Sequence, residues 1–194
     1  MEQIRSFIAI ELPEELKREL GRLQTGLKAD KPRIRWVNPE GMHLTLKFLG
    51  NVPAAKIDAI TQVMTESAAR VSPFRLEVGH LGAFPNMKHV QVVWVGLGGE
   101  LDRIRQLHKY LEAGLSRLGF VAEKRPFSPH LTLARVGNEA SPEERQRFGE
   151  LIAATGFETD KVITVNGIVL MRSQLTSRGA IYSKISSAEL KQDR

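Results

Sequence analysis

Hydrophobic and polar residues alternate in two short segments that share the tetrad His-Leu-Thr-Leu, at residues 43–46 and 130–133. Because successive side chains of a β-strand point to opposite faces, the alternation predicts two strands with both leucines on one face and the histidine and threonine on the other. Each predicted strand therefore has an apolar face suited to packing in a core and a polar face that is free for other contacts.

The order of predicted elements around the first tetrad recurs around the second, 87 residues later. In each half an apolar run leads into an amphipathic helix, the tetrad strand follows, and a further helix and strand come after it. We therefore predict a tandem duplication of a βαβαβ unit, with pseudo-repeats at residues 4–88 and 89–187 that form one bilobal domain over residues 1–194. The apolar strand at residues 90–97 is expected to pair with the strand before it and also to open the second repeat.

Composition limits the classes of protein to which the chain can belong. Its 194 residues include no cysteine, which excludes disulfides, thiolate nucleophiles and cysteine-ligated zinc sites. A net charge of +6 and a pI near 9.8 favour an anionic partner such as RNA, a nucleotide or another phosphate ester. No window approaches the roughly 18 continuous apolar residues of a membrane-spanning helix, and the N-terminus lacks the pattern of a secretory signal. We therefore expect a cytoplasmic protein, monomeric by default, with no membrane partner.

The polar faces of the two tetrad strands carry groups suited to phosphoester chemistry. If a pseudo-twofold axis relates the lobes, His43 and Thr45 can face His130 and Thr132 across a cleft. One histidine can then take a proton from the attacking oxygen while the other donates a proton to the leaving oxygen. The threonine hydroxyls can hydrogen-bond the non-bridging phosphate oxygens, so the chemistry requires no metal and no cofactor.

The alternative is that both tetrads are amphipathic strands of a duplicated fold without a chemical role. A fold repeat accounts for the matching leucines, because these face the core. It does not account for the matching histidines and threonines on the opposite face, which packing does not dictate. The duplication therefore favours a joint active site over two unrelated strands.

The segments WVNPEGMHLTLKFLG and RPFSPHLTLARVG, with RSFIAIELP near the start and IVLMRSQLTSRGAIYSKI near the end, resemble the 2H phosphoesterase superfamily. More narrowly, they are similar to the bacterial and archaeal RNA 2',3'-cyclic phosphodiesterases, also described as 2'-5' RNA ligases. The resemblance implies an α+β fold in which two antiparallel sheets flank a central cleft, in agreement with the predicted bilobal duplication.

The resemblance also implies an activity and a role for each tetrad residue. The expected reaction is metal-independent hydrolysis of an RNA or nucleotide 2',3'-cyclic phosphate to a 2'-phosphomonoester. On the matching positions, His43 would be the proton donor, His130 the proton acceptor, and Thr45 and Thr132 would bind the phosphate. If the 5'-hydroxyl of another RNA replaced water, the same groups could form a 2'-5' linkage without ATP.

Other functions stay open at the level of the sequence. The substrate could be a small metabolite with a cyclic phosphate, or the chain could be an RNA-binding module that retains the cleft without turnover. Two titrating histidines argue against simple binding. A metal hydrolase is disfavoured, because neither tetrad histidine is followed by the Glu-x-x-His spacing of a zinc site.

Two basic residues lie just beyond the tetrads. Strict alternation places Lys47 on the face of His43, where it could contact a phosphate, and Arg135 on the face opposite His130. On this basis Lys47 is the better candidate for a phosphate contact.

The other histidines and the aromatic residues receive more ordinary interpretations. His80, His89 and His108 are expected to be surface or hydrogen-bonded residues rather than catalytic ones. Strand aromatics are expected in the core, but Trp36 and Phe84 adjoin predicted loops and are the better candidates for stacking on a base.

Overall fold

A computed structural model describes residues 2–27, 33–177 and 179–191 of the chain. Each tetrad occupies the first four residues of a strand, and two short 3-10 turns, Pro39–Gly41 and Ala54–Lys56, flank the first tetrad strand. The elements follow the order β1 (Gln3–Glu11), α1 (Glu14–Leu27), β2 (Ile34–Trp36), β3 (His43–Pro53), α2 (Ile57–Ala68), β4 (Phe74–Phe84), β5 (Val92–Gly99), α3 (Leu101–Arg117), β6 (His130–Val136), α4 (Pro142–Ala154), β7 (Val162–Val165), β8 (Gly167–Thr176) and β9 (Gly179–Glu189).

The strands form two antiparallel sheets, which confirms the predicted α+β fold. Sheet A has the order β3-β1-β8-β9, and sheet B has the order β2-β6-β5-β4-β7. Both sheets combine strands from the two halves of the chain: β8 and β9 extend the sheet that β1 and β3 begin, and β4 lies between β5 and β7. As predicted for residues 90–97, β5 pairs with the preceding strand β4 and leads into α3.

Apolar residues at helical spacing pack one face of each long helix against the sheets. Leu16 and Leu20 of α1 and Ile104 and Leu111 of α3 are at most 1% exposed. Full burial of one such side chain stabilises the fold by about 1.5–3 kcal/mol. All four tetrad leucines belong to the same core cluster, which confirms that the leucine face of each tetrad strand is the core face.

A second, smaller apolar cluster lies on the other face of sheet A. It consists of Phe7, Ala9 and Val169, with Met171 and Tyr182 packed against it. Phe7 and Ala9 alternate along β1 with residues of the main core, so their side chains point away from that core. This face of sheet A therefore carries an apolar cluster that is separate from the main core.

The two tetrad strands contact each other, since Cα atoms of β3 and β6 approach within 8 Å. The backbone N–H of Val37, shortly before the first tetrad, donates to the carbonyl oxygen of Leu133 at 2.9 Å. The buried side chain of Gln24 in α1 donates through Nε2 to the carbonyls of both residues, at 2.7 Å and 3.0 Å. Through these two hydrogen bonds, α1 holds the segment before β3 against the second tetrad strand.

A local signal marks where α4 begins. Ser141 and Glu144, three residues apart, form a capping box: the Ser141 hydroxyl accepts from the Glu144 N–H at 3.3 Å, and the Glu144 carboxylate accepts from the Ser141 N–H at 2.7 Å. A cap of this kind contributes about 1 kcal/mol. Among the described residues, no helix has the length and hydropathy needed to cross a membrane.

Candidate active site

A β-bulge in β3 changes which side chains share a face. The pairing of β1 with β3 skips Leu46, and an extra residue of this kind reverses the alternation beyond it. Lys47 is consequently buried, with 8% of its surface exposed, so the prediction that it shares the face of His43 is wrong. Phe48 is 64% exposed instead, and its ring lies 6.0 Å from that of Phe7.

A matching bulge occurs in β6. The pairing of β5 with β6 skips Leu133, after which Ala134 is buried and Arg135 is exposed. The prediction that Arg135 lies opposite the face of His130 is therefore wrong. Arg135 corresponds to Phe48 at the repeat spacing of 87 residues, so the two bulges bring equivalent positions to the polar face of each strand.

His43, the first residue of β3, is held by one hydrogen bond and two aromatic rings. Its Nδ1 lies 2.7 Å from the carbonyl oxygen of Gly41. Because a carbonyl can only accept, Nδ1 carries the proton and Nε2 keeps a lone pair in the neutral ring. The ring centroids of Phe7 and Tyr182 lie 4.5 Å and 5.1 Å from that of the imidazole. These contacts fix both the orientation and the tautomer of His43.

His130, the first residue of β6, is held in the same way. Its Nδ1 donates to the carbonyl oxygen of Ser128 at 2.8 Å, again two residues earlier in the chain. Phe84 lies edge-on at 5.0 Å and Trp94 at 6.4 Å from the imidazole. Both tetrad histidines therefore leave Nε2 as the nitrogen available to a ligand.

Thr45 and Thr132 lie two residues after the histidines and are partly exposed on the same strand faces. They pair with Ala9 of β1 and Trp94 of β5. Within the described ranges neither threonine hydroxyl has a hydrogen-bond partner. Each hydroxyl is therefore available as a donor to an anion bound beside the neighbouring histidine.

The surroundings of His43 favour its neutral form. Burial lowers the pKa of this imidazole below its usual value of 6.5, and the positive charge of Lys17 lowers it further. The hydrogen bond to the Gly41 carbonyl opposes the effect of burial by favouring the protonated ring. In the free protein at neutral pH, His43 is therefore mainly uncharged.

Tyr182, beside His43, is affected by positive charges from both sheets. Burial raises the pKa of its phenol, and the positive charges of Arg135 in β6 and Arg5 in β1 oppose that rise. The phenol beside His43 thus lies within the electrostatic influence of one arginine from each sheet. The sequence patterns single out neither Tyr182 nor Arg5, because their proximity to the tetrads depends on how strands from distant parts of the chain are ordered.

Lys47 belongs to a buried network on the core side of β3. Its Nζ lies 2.7 Å from the Glu112 carboxylate and donates to the Val121 carbonyl at 2.8 Å. The same carboxylate accepts from the Glu123 N–H at 3.1 Å. The network joins β3 to α3 and to the loop before β6, and it leaves Lys47 no role as a phosphate ligand.

The three remaining histidines agree with their ordinary interpretations. His108 stacks on Phe127 at 4.1 Å, and His89 is exposed. His80 is exposed beside Trp94, with ring centroids 5.6 Å apart. In the part of the chain that the structure describes, no three His, Asp or Glu side chains are grouped so that they could hold a metal ion.

The aromatic residues are distributed differently from the prediction. Trp36 is partly buried and packs edge-on against Phe148 at 6.2 Å, next to the main core. Phe84 lies beside His130. The exposed Phe48, expected in the core, is the better platform because its ring is accessible.

Comparisons with known proteins agree with this architecture. The model of the family described as LigT-like phosphoesterase matches residues 10–94 and again residues 96–182. The chain is 33% identical over 181 residues to the RNA 2',3'-cyclic phosphodiesterase of Methanothermobacter thermautotrophicus, a match that covers 93% of this chain and 96% of that protein.

Solved structures are similar over almost the whole chain. TT0787 of Thermus thermophilus superposes with a TM-score of 0.81 at 27% identity, covering 98% of this chain and 100% of that one. E. coli LigT complexed with 3'-AMP superposes with a TM-score of 0.78 at 25% identity, with the same coverage. Since the family model matches most of its residues, the chain belongs to the LigT-like phosphoesterase family.

Proposed function

We propose that this protein opens RNA or nucleotide 2',3'-cyclic phosphates to 2'-phosphomonoesters. The observation that carries the proposal is the equivalence of His43 and His130. Each begins a strand, binds a carbonyl through Nδ1 and is followed two residues later by a threonine, and the two strands contact each other. Relatives that are similar over most of the chain are named RNA 2',3'-cyclic phosphodiesterase, which supports this choice of substrate.

The two histidines exchange protons with opposite sides of the phosphorus. Nε2 of His130 accepts a proton from water as the water oxygen attacks phosphorus. The bond between phosphorus and the ribose 3'-oxygen breaks, and Nε2 of protonated His43 donates its proton to that oxygen. The products are a free 3'-hydroxyl and a 2'-phosphate. Thr45 and Thr132 donate hydrogen bonds to the non-bridging oxygens, where negative charge increases in the transition state.

His43 can act as the proton donor only if its imidazole becomes protonated when the substrate binds. Burial keeps the pKa of His43 low in the free protein. A cyclic phosphate carries a negative charge, and an anion bound beside the imidazole favours the protonated ring. The substrate thus raises the pKa of the group that will protonate its leaving oxygen.

The test uses an oligoribonucleotide that ends in a 2',3'-cyclic phosphate, incubated with EDTA-treated protein. The wild type should yield a terminal 2'-phosphate, and His43→Ala and His130→Ala should each lose activity by about 100-fold or more. His89→Ala, at an exposed position in a loop, is the matched control and should retain activity. Full activity in either tetrad variant would refute the two-histidine mechanism, and loss of activity with EDTA would refute metal independence.

Ligation uses the same proton transfers with a different nucleophile. The 5'-hydroxyl of a second RNA takes the place of water, His130 removes its proton as it attacks phosphorus, and His43 protonates the departing 3'-oxygen. We expect slow, ATP-independent joining of RNA with a cyclic phosphate end to a concentrated RNA with a 5'-hydroxyl. The same two alanine substitutions should abolish it. Joining that persists in both variants would show that ligation is not a reaction of this site.

A further inference from the structure

An open cavity of about 380 Å³ is lined by Phe48 and by residues that follow it in β3. Its wall is formed by the second half of β3 and the turn that follows, and by the chain just after α3, with Phe48, Asn51, Lys56, Phe120 and Val121 among the lining residues. The volume falls within the range of small-molecule sites in proteins. None of the catalytic roles described above involves this cavity.

The cavity is connected to the candidate active site through the exposed ring of Phe48. This residue lines the cavity, and its ring also lies 6.0 Å from Phe7, whose own ring is 4.5 Å from His43. Phe48 is therefore within reach of a nucleotide whose phosphate lies at His43. Pro53, at the far end of the wall, pairs with Gln3, whereas His43 pairs with Glu11, so these two ends of β3 are roughly 26 Å apart along the sheet. A single nucleotide is too short to span that distance.

The residues that line the cavity are of the types that bind single-stranded nucleic acid. Two aromatic residues, Phe48 and Phe120, contribute to the wall, and the ammonium of Lys56 lies 5.6 Å from the centroid of the Phe120 ring. Lys56 is exposed and donates to the Leu118 carbonyl at 2.9 Å, which fixes its charge at the rim. Among the described residues no carboxylate lines the cavity, and the charge of Lys47 at its floor is paired with Glu112. Aromatic rings with a nearby fixed cation suit a base and its phosphate.

We propose that this cavity binds an internal nucleotide of the RNA strand whose 3' end carries the cyclic phosphate. The inference rests on the proposed function, because it assumes that the cyclic end occupies the tetrads. In the bound strand, the terminal nucleotide lies at His43 and His130, the chain passes over Phe48, and an upstream base enters the cavity against Phe120. Lys56 attracts the phosphate of that upstream nucleotide. The protein is then specific for RNA ends over free cyclic mononucleotides.

The test compares two substrates, a nucleoside 2',3'-cyclic monophosphate and a tetranucleotide with a 2',3'-cyclic phosphate end. The measured quantity is the ratio of kcat/KM for the tetranucleotide to kcat/KM for the mononucleotide. Phe120→Leu keeps apolar volume but removes the ring, and Lys56→Gln removes the charge. We expect the first to lower the ratio on the order of tenfold and the second by a few fold, from the usual strength of base stacking and of a single phosphate contact.

Lys109→Gln makes the same charge change on the exposed surface of α3, away from the cavity, and should leave the ratio as in the wild type. If the wild type opens both substrates but neither cavity variant changes the ratio, the cavity is not an RNA subsite and the proposed function stands. If both cavity variants lower activity equally on the two substrates, their effect is structural and the inference is wrong. If the wild type opens neither substrate, the proposed function itself fails.

Discussion

His43 and His130 have the same backbone hydrogen bond but different surroundings. A carbonyl two residues earlier fixes Nδ1 in both rings. His43 is enclosed by Phe7 and Tyr182, with the charge of Lys17 nearby, and all three lie outside its own strand. The repeated sequence therefore gives two similarly held groups, and the residues around His43, which come from other elements, lower the pKa of its imidazole.

The first prediction concerns the titration of His43, followed by the NMR signals of its imidazole. Because burial disfavours the charged ring, the pKa in the free protein should lie below 6.5. Adding inorganic phosphate or a nucleoside 2'-phosphate should raise it. By linkage, this group does not destabilise the fold above pH 6.5, and it lowers stability as the pH falls below that value, where the unfolded chain takes up the proton more readily.

Assignment of the signal rests on its absence from the spectrum of His43→Gln. A His43 pKa at or above 6.5 in the free protein, or one that phosphate does not raise, would contradict the assigned burial and the proposed effect of the substrate.

At the scale of the strands, the bulges at Leu46 and Leu133 decide which residues face the candidate active site. Each bulge follows a tetrad threonine, so the tetrads obey simple alternation and the residues after them do not. For this reason Lys47 turns to the core and Arg135 to the polar face.

The second prediction follows from the burial of Lys47 against Glu112. Lys47→Met leaves the Glu112 carboxylate without its cation in a poorly hydrated position, and should lower the free energy of unfolding by about 3 kcal/mol. The double variant Lys47→Met/Glu112→Leu should regain part of this loss. Urea unfolding provides the measurement, with Lys109→Met as the same change at an exposed site.

A phosphate ligand would behave differently from a structural lysine. If Lys47→Met raised KM for the cyclic phosphate while leaving the unfolding free energy as in the wild type, Lys47 would belong to the site after all and the assignment to the buried network would be wrong.

The sequence predicts a structural feature well when the residues that cause the feature lie close together in the chain. The tetrad strands, the core position of their leucines, the capping box at Ser141 and the hairpin with β5 follow from patterns within a few residues, and the structure has them. A bulge depends on the partner strand, which the sequence does not identify, so alternation alone places Lys47, Phe48 and Arg135 wrongly. No local pattern in the sequence places Tyr182 beside His43. The two residues are neighbours because of the order in which sheet A arranges its strands.

At the scale of the whole molecule, a helix outside both sheets holds the connection between β2 and β3 against the second tetrad strand. Gln24 of α1 is 1% exposed, and its side chain donates to the carbonyls of Val37, in that connection, and of Leu133 in β6. The carbonyl of Leu133 is available to it at the bulge, where the pairing of β5 with β6 skips this residue.

The third prediction is that Gln24→Leu destabilises the fold by about 1–3 kcal/mol, because the carbonyls of Val37 and Leu133 each lose the donor that the buried amide supplies. Gln62→Leu is the matched control: Gln62 is an exposed residue of α2 that donates only to the neighbouring Glu66 carboxylate among the described residues, and its loss should cost less than about 0.5 kcal/mol. Urea unfolding of both variants checks the difference. Equal stability of the two would mean that the hydrogen bonds of Gln24 to Val37 and Leu133 do not stabilise the fold.

Because sheet A combines strands from both halves of the chain, it can be completed only after β8 and β9 have been synthesised. β1 and β3 leave the ribosome early, but the second neighbour of β1 in sheet A is β8, and Phe7 pairs with Met171. Contacts this distant in sequence form late and slow folding. A nascent chain that already carries both His-Leu-Thr-Leu tetrads therefore still lacks the ring of Tyr182 against His43. Strands translated after both tetrads complete the surroundings of the first histidine.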